Sequence, residues 1–218
     1  MDIFPSLIAS NLLKLSDTIQ TLNTKCDGYH IDVMDDHFVP NLTWGPDFVS
    51  AIIAATNLSL NIHLMVDNPK EWVNRLNLRK QDFFVFHIEA LDFSEIKTFI
   101  KDIKKIGCKV GIALNPETDV NLLFEYLDIL DTILVMSVKP GFSGQKFDSS
   151  VLSKIEILNK EKKDKNLSFS ISMDGGIDQD NIQELQNLGV DQVAVGSAIF
   201  YQEDYLQALK NLYNKIAS

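Results

Sequence analysis

The 218-residue chain has only two cysteines, Cys26 and Cys108, in separate segments and at no metal-like spacing. A thiolate metal site is not expected. Free, buried thiols in a reducing compartment are. No stretch approaches the roughly 18 to 20 unbroken apolar residues that a membrane span needs. Positive charge is also scarce. Twenty Lys and Arg face thirty Asp and Glu, a formal net charge of −10, so no surface for nucleic acid is expected. An anionic small molecule stays open, because one pocket can be locally positive. The N-terminal "MDIFPSLIAS" has an acid where a signal peptide has basic residues, so no export signal and a cytoplasmic location are expected. The glycine fingerprint G-x-G-x-x-G does not follow the first apolar run. "PSLIASNLL" holds no glycine at all, which argues against a doubly wound sheet. Linkers and low-complexity tracts are lacking too. The lysine-rich "NKEKKDKN" (159–166) reads as the solvated end of a helix and its turn.

What is present has the composition of a soluble globular domain, 45% hydrophobic and 23% charged. Apolar runs at 3–9, 29–34, 58–66, 83–89, 109–115, 132–138, 168–174 and 190–196 alternate with amphipathic stretches. Those stretches lie near 12–23, 46–55, 69–76, 94–106, 119–127, 149–162, 179–187 and 203–216. Pro46, Pro69, Ser94 and Ser149 suit helix starts, and Gly107 and Gly189 suit helix ends. Each helix must return the chain to the same end of the sheet, so the strands are parallel. Eight such units predict a single α/β domain over 1–218, a closed (β/α)₈ TIM barrel.

In that architecture chemistry gathers at the C-terminal ends of the strands. Side chains alternate along a strand, so "YHIDVM" sets His30, Asp32 and Met34 on one face. His63 and Met65 share a face of the third run, His87 and Glu89 end the fourth, and Asp174 ends the seventh. Met173 has the opposite parity to Asp174 and is expected to face the helices. Unpaired carboxylates are seldom buried, so Asp32 and Asp174 require a partner. Two histidines and two carboxylates make a mixed N/O site for a divalent ion such as Zn²⁺, Fe²⁺, Mn²⁺ or Co²⁺. His37 is expected in solvent, and His87 as either a supporting or a structural residue. Three glycine loops follow strands six to eight: "KPGFSGQKF" (139–147), "DGGI" (174–177) and "VGSAIF" (195–200). Glycines let backbone N–H groups approach a phosphate, and a helix start after "GS" adds a favourable dipole. Lys139 and Lys146 are candidate helpers.

These segments resemble the ribulose-phosphate 3-epimerase family. "PSLIASNLL", "HIDVMDDHFVPN", "HLMVDNP", "HIEA", "VGIALNPET", "VMSVKPGFSGQKF", "MDGGI" and "VGSAIF" match in order and register, nearly end to end. The resemblance implies one divalent metal ion per subunit, held by His30, Asp32, His63 and Asp174. It implies that Asp32 and Asp174 are the acid/base pair and that Ser6 and His63 contact substrate. Met34, Met65 and Met136 fall on thioethers around the reaction centre. Gly141, Phe142, Ser143, Gly144, Gly175, Gly176, Gly196 and Ser197 fall on the phosphate end. The implied activity is epimerisation at C3 of D-ribulose 5-phosphate to D-xylulose 5-phosphate, by two-base proton transfer through a metal-stabilised enediolate, in the pentose phosphate pathway. The implied assembly is a homo-oligomer, dimer or hexamer. The alternatives are a 3-epimerase for allulose 6-phosphate and a catalytically silent sugar-phosphate-binding barrel. Four positions depart from the family pattern. Asp36 replaces a usual Gly and Asn61 a usual Asp, Ser137 stands for Thr, and Lys139 precedes the Pro-Gly turn. If position 36 needs a positive φ, Asp is among the less unfavourable replacements. Asn61 shares a face with His63 and is expected to support the ligands.

Overall fold

The computed structural model describes residues 1–217; Ser218, the last residue of the expected domain, lies outside them. Eight parallel strands run in the order β1-β8-β7-β6-β5-β4-β3-β2 and form a nearly closed (β/α)₈ barrel. They are β1 (Asp2–Pro5), β2 (Gly28–Met34), β3 (Ser59–Met65), β4 (Phe83–His87), β5 (Lys109–Leu114), β6 (Thr132–Met136), β7 (Ser170–Asp174) and β8 (Gln192–Val195). Around them lie α1 (Leu15–Leu22), α2 (Pro46–Ala55), α3 (Lys70–Val73), α4 (Phe93–Ile106), α5 (Leu152–Asp164), α6 (Ile182–Asn187), α7 (Ser197–Phe200) and α8 (Tyr205–Ile216).

All seven residues of β2 are buried, because one face meets the helices and the other fills the barrel. The outward residues Ile133, Ile171, Met173 and Val193 join the main core with Ile155, Leu158, Ile182 and Leu185 of the helices. Met173 thus faces outward, as its parity predicts. Each such side chain, fully buried, contributes roughly 1.5 to 3 kcal/mol. Helix α4 shows why these segments coil. Ile96, Phe99, Ile100 and Ile103 form one buried stripe, and Gly107 closes the helix at φ 94°. The fifth unit differs from expectation. Only Val120–Leu123 is helical there, as a 3₁₀ turn, followed by i→i+3 bonds from Tyr126 to Leu123 and from Ile129 to Tyr126. Val120, Leu123 and Tyr126 are buried at every third position, which suits the eclipsed 3₁₀ geometry, and Leu127 is buried beside them.

The seam between β1 and β2 lacks a ladder and is joined by an isolated bridge between Ser6 and His30. At its lower end Asp27 Oδ2 accepts the Ile3 N–H at 2.9 Å and the Tyr213 hydroxyl at 2.6 Å. Gly28 admits the Phe4 ring into the seam, since a Cβ there would stand 2.4 Å from it. Cys108 is buried and Cys26 half-buried, and both are free. No helix among the described residues is long and apolar enough to cross a membrane.

Candidate active site

The seam of the barrel is bridged by two of the candidate site residues, Ser6 and His30. Ser6 bridges to His30 through the backbone and donates its hydroxyl to Asp32 Oδ2 at 2.6 Å. The β2–β3 register sets Asp32 beside His63 and Met34 beside Met65. Asp174 ends β7, in register with Met136 on one side and Ala194 on the other. His30 Nε2 lies 3.2 Å from Asp32 Oδ1 and 3.5 Å from Asp174 Oδ2. His63 Nδ1 lies 3.6 and 3.7 Å from the same two oxygens, and 3.3 Å from His30 Nε2. One donor atom from each of the four residues lies within 4.8 Å of the other three.

This donor set fits a divalent cation. Two imidazole nitrogens and two carboxylate oxygens converge with both rings fully buried and the acids' side chains only 6% and 16% exposed. Two negative charges in so dry a place require a positive one. Burial disfavours a charged His30, but Asp32 and then Asp174 outweigh it and push the ring up to about 10. For Asp32, burial opposes ionisation, yet the charge and hydrogen bond of His30, helped by His63, hold the carboxyl well below its usual range. A proton on His30 and a bound cation meet the same electrostatic demand.

His63 has a second partner. Its Nε2 meets His87 Nε2 at 2.8 Å, and His87 Nδ1 lies 3.1 Å from Glu89 Oε2. Burial is the largest influence on His87 and pushes it down to about 4. Glu89, on the 3₁₀ turn after β4 rather than on the strand, is pulled down to about 2. Burial opposes that shift, and hydrogen bonds and charge from His87, with Thr118 and the Asn115 N–H, reverse it.

Above the acids opens a cavity lined by Ser6, Asp32, Asp174, Met34, Met65 and Met136. Its far wall holds Gly141, Phe142, Ser143, Gly144, Gly175, Gly176, Gly196 and Ser197. His30 and His63 lie wholly buried behind this lining. The wall also includes Ile8, Ile177 and Gln145, which the sequence reading passed over. Gln145 belongs to the "KPGFSGQKF" loop and was within reach of that motif, whereas Ile8 and Ile177 look like ordinary core residues. Lys139 and Lys146 are exposed and stand outside this lining. His37 is exposed as well.

The loops are tied to one another. Asn41 Nδ2 donates to the Gly141 carbonyl at 2.7 Å, and Gln145 Nε2 to those of Lys139 and Phe142. Asp35 accepts the N–H groups of His37, Phe38 and Asp67, joining the loops after β2 and β3. Asp36 sits at φ 60°, the left-handed conformation in which a glycine is easiest and Asp is tolerated. Asn61 is buried beside His30 in the register and donates to Gln192 Oε1 at 2.9 Å. A carboxylate there has no N–H to offer Gln192.

The ribulose-phosphate 3 epimerase family model matches residues 2–200. The chain belongs to that family. A ribulose-phosphate 3-epimerase of Mycobacterium bovis is 39% identical over 96% of this chain and 90% of its own length. A relative of the same name from Aquifex aeolicus is 39% identical, covering 92% of this chain and 90% of its own. Orotidine 5′-phosphate decarboxylase from Pyrococcus horikoshii shares the fold alone, with a TM-score of 0.69 at 11% identity and 99% coverage of both chains.

Proposed function

We propose that the chain, as one catalytic domain over 1–218, epimerises D-ribulose 5-phosphate to D-xylulose 5-phosphate at C3, with Asp32 and Asp174 as the two acid/base residues. The observation that carries this reading is the pair of carboxylates from β2 and β7 sharing one histidine-bounded cluster under a cavity with a glycine-loop wall. Family membership and the relatives' names support the same substrate.

Epimerisation takes a proton from one face of C3 and returns one to the other. A single base cannot serve both faces without a large movement, but acids on two strands can. One carboxylate removes the C3 proton, leaving an enediolate, and the other acid donates to the opposite face; the roles exchange with direction. Ser6 holds Asp32 Oδ2, so Asp32 presents its other oxygen to the cluster. Met34, Met65 and Met136 form an apolar, polarizable wall that keeps water from the carbanion-like centre. The backbone loops around Gly141, Gly176 and Gly196, with Ser143 and Ser197, hold the phosphate and so position C3. His30, Asp32, His63 and Asp174 would hold the divalent ion, whether Zn, Fe, Mn or Co. When bound, it supplies Lewis acidity toward developing negative charge on the sugar oxygens. A homo-oligomeric state, dimer or hexamer, and a cytoplasmic location belong to the same proposal; sedimentation and cell fractionation measure them.

Turnover in D₂O tests the chemistry. Deuterium is expected at C3 of the product, because the two acids exchange with solvent. Product free of solvent deuterium overturns two-base transfer. Parallel assays with ribulose 5-phosphate and allulose 6-phosphate test the substrate, and a preference for the six-carbon sugar overturns that part.

A further inference from the structure

Next to the four clustered ligand-type residues stand two titratable groups that the mechanism does not use, His87 and Glu89. His87 is fully buried and Glu89 partly so. They form a line that begins at His63. The His63 and His87 ring centroids are 5.0 Å apart with planes 27° apart, while the nitrogens approach to 2.8 Å. The centroid spacing exceeds the nitrogen contact by about two ring radii, so the rings meet end to end rather than face to face. One proton therefore lies on the line between the two Nε2 atoms.

The direction of that proton follows from the far end. An ionised carboxylate only accepts hydrogen bonds, so His87 Nδ1 must carry the proton shared with Glu89 Oε2 at 3.1 Å. A neutral His87 then has its lone pair on Nε2 and accepts from His63. With Nε2 donating to His87, the His63 atom left to offer a lone pair is Nδ1, which lies 3.6 and 3.7 Å from Asp32 and Asp174. Glu89 is itself fixed. Its Oε1 accepts the Asn115 N–H at 2.8 Å and the Thr118 hydroxyl. Lys154 of α5 clamps that loop through the carbonyls of Asn115, Pro116 and Thr118. Phe38 packs against His87 at a tilt of 45°, with centroids 4.8 Å apart.

We propose that Glu89 and His87 are positioning residues that lock His63 in the tautomer with its lone pair on Nδ1, ready to bind a cation. The inference rests on the metal-assisted reading above. Outer partners of this kind orient metal-binding histidines and commonly change affinity by about 10- to 100-fold when removed.

The test has two arms. In ¹⁵N-labelled, chelated wild-type protein, the His63 ring shifts are expected to show protonated Nε2 and bare Nδ1. A proton on Nδ1 overturns the proposal. In the second arm Co²⁺ is titrated into wild type, Glu89→Ala, Glu89→Asp and His87→Phe, followed by the visible cobalt spectrum. Glu89→Ala and His87→Phe are expected to bind Co²⁺ about 10- to 100-fold more weakly, with Glu89→Asp partly restored. Should His87→Phe fail to fold, Glu89→Ala, on the partly exposed turn, still decides. Affinities within twofold of wild type, with lowered melting temperature alone, leave only a packing role and overturn it. A wild type that binds no Co²⁺ ends the metal-assisted reading, while the ring shifts still decide the tautomer.

Discussion

The two halves of the barrel mouth are built from different materials. The half on β2, β3 and β4 is made of side chains. His30, His63 and His87 are all wholly buried, and each touches the next or an acid within 3.3 Å. The half on β6, β7 and β8 is made largely of backbone, turned by glycines, with Phe142 56% exposed on its rim. The difference fits what the proposed function asks of each half. Where charge changes during a reaction, donors and acceptors must be dry and fixed beforehand. A phosphate keeps its charge throughout, so amide groups on an open rim suffice.

The largest effect is expected from exchanging one carboxylate for an amide, beginning with Asp174, the residue that β7 adds to the side-chain cluster of β2 and β3. Asp174→Asn keeps the shape but cannot take a proton from carbon. Turnover is expected to fall by at least about 10²- to 10⁴-fold, the usual contribution of a positioned acid or base. Circular dichroism should stay unchanged, and a variant with near-normal turnover sinks the acid/base assignment. Asp32→Asn should lose as much turnover and melt lower as well, since it also weakens the bond from the buried Ser6 hydroxyl.

Breaking the backbone half should look different. Gly176 sits at φ 58°, and a Cβ there would stand 2.4 Å from the Phe147 nitrogen. Gly176→Ala costs about 1 to 2 kcal/mol for the conformation alone, before the clash is relieved. The expected result is a melting point lower by at least about 2 to 4 °C and a raised KM for the phosphorylated sugar, with kcat changed less. A fall in kcat with KM unchanged would remove the distinction between the halves. A milder probe is Tyr201→Phe, which deletes the hydroxyl paired with Ser143 Oγ at 2.8 Å. One exposed hydrogen bond is worth about 0.5 to 1 kcal/mol, so KM should rise about two- to fivefold.

The two halves also differed in how far they could be read from sequence. Periodicity gave the strand-helix alternation, and parity placed His30, Asp32, Met34 and the outward Met173, because a strand leaves no choice of face. The 3₁₀ turn at Val120–Leu123 escaped, since a buried residue every third position also fits a helix within a turn or two. Cavity residues such as Ile8 and Ile177 gave no signal, because an apolar side chain in the turn or loop after a strand looks like core. The connection from His63 through His87 to Glu89 was half visible. The "HIE" spacing was evident, but Glu89 leaves the strand on a turn, so parity could not aim it.

The smallest expected effect concerns acid stability, and it sharpens the contrast because it belongs to the side-chain half alone. Both His87 and Glu89 bind protons more weakly in the folded chain than in the unfolded one. For Glu89 the ordinary value of 4.5 falls to about 2, with hydrogen bonds from His87, Thr118 and Asn115 overcoming burial. A depressed carboxyl stabilises the fold above its unfolded pKa, and that contribution disappears as pH falls through the folded value. The loss therefore runs from about pH 4.5 down to about 2. His87 adds loss of the same sign at higher pH, from 6.5 down to about 4, because folding must keep its buried ring neutral. Urea unfolding of chelated protein at a series of pH values should show stability decreasing across both windows. Glu89→Gln removes the lower titration, so its curve should be flatter than wild type between pH 4.5 and 2 and nearly parallel to it above pH 6.5. Identical slopes in the lower window would mean that Glu89 is not held ionised by His87 and its loop, and the side-chain half would then be less tightly connected than its distances imply.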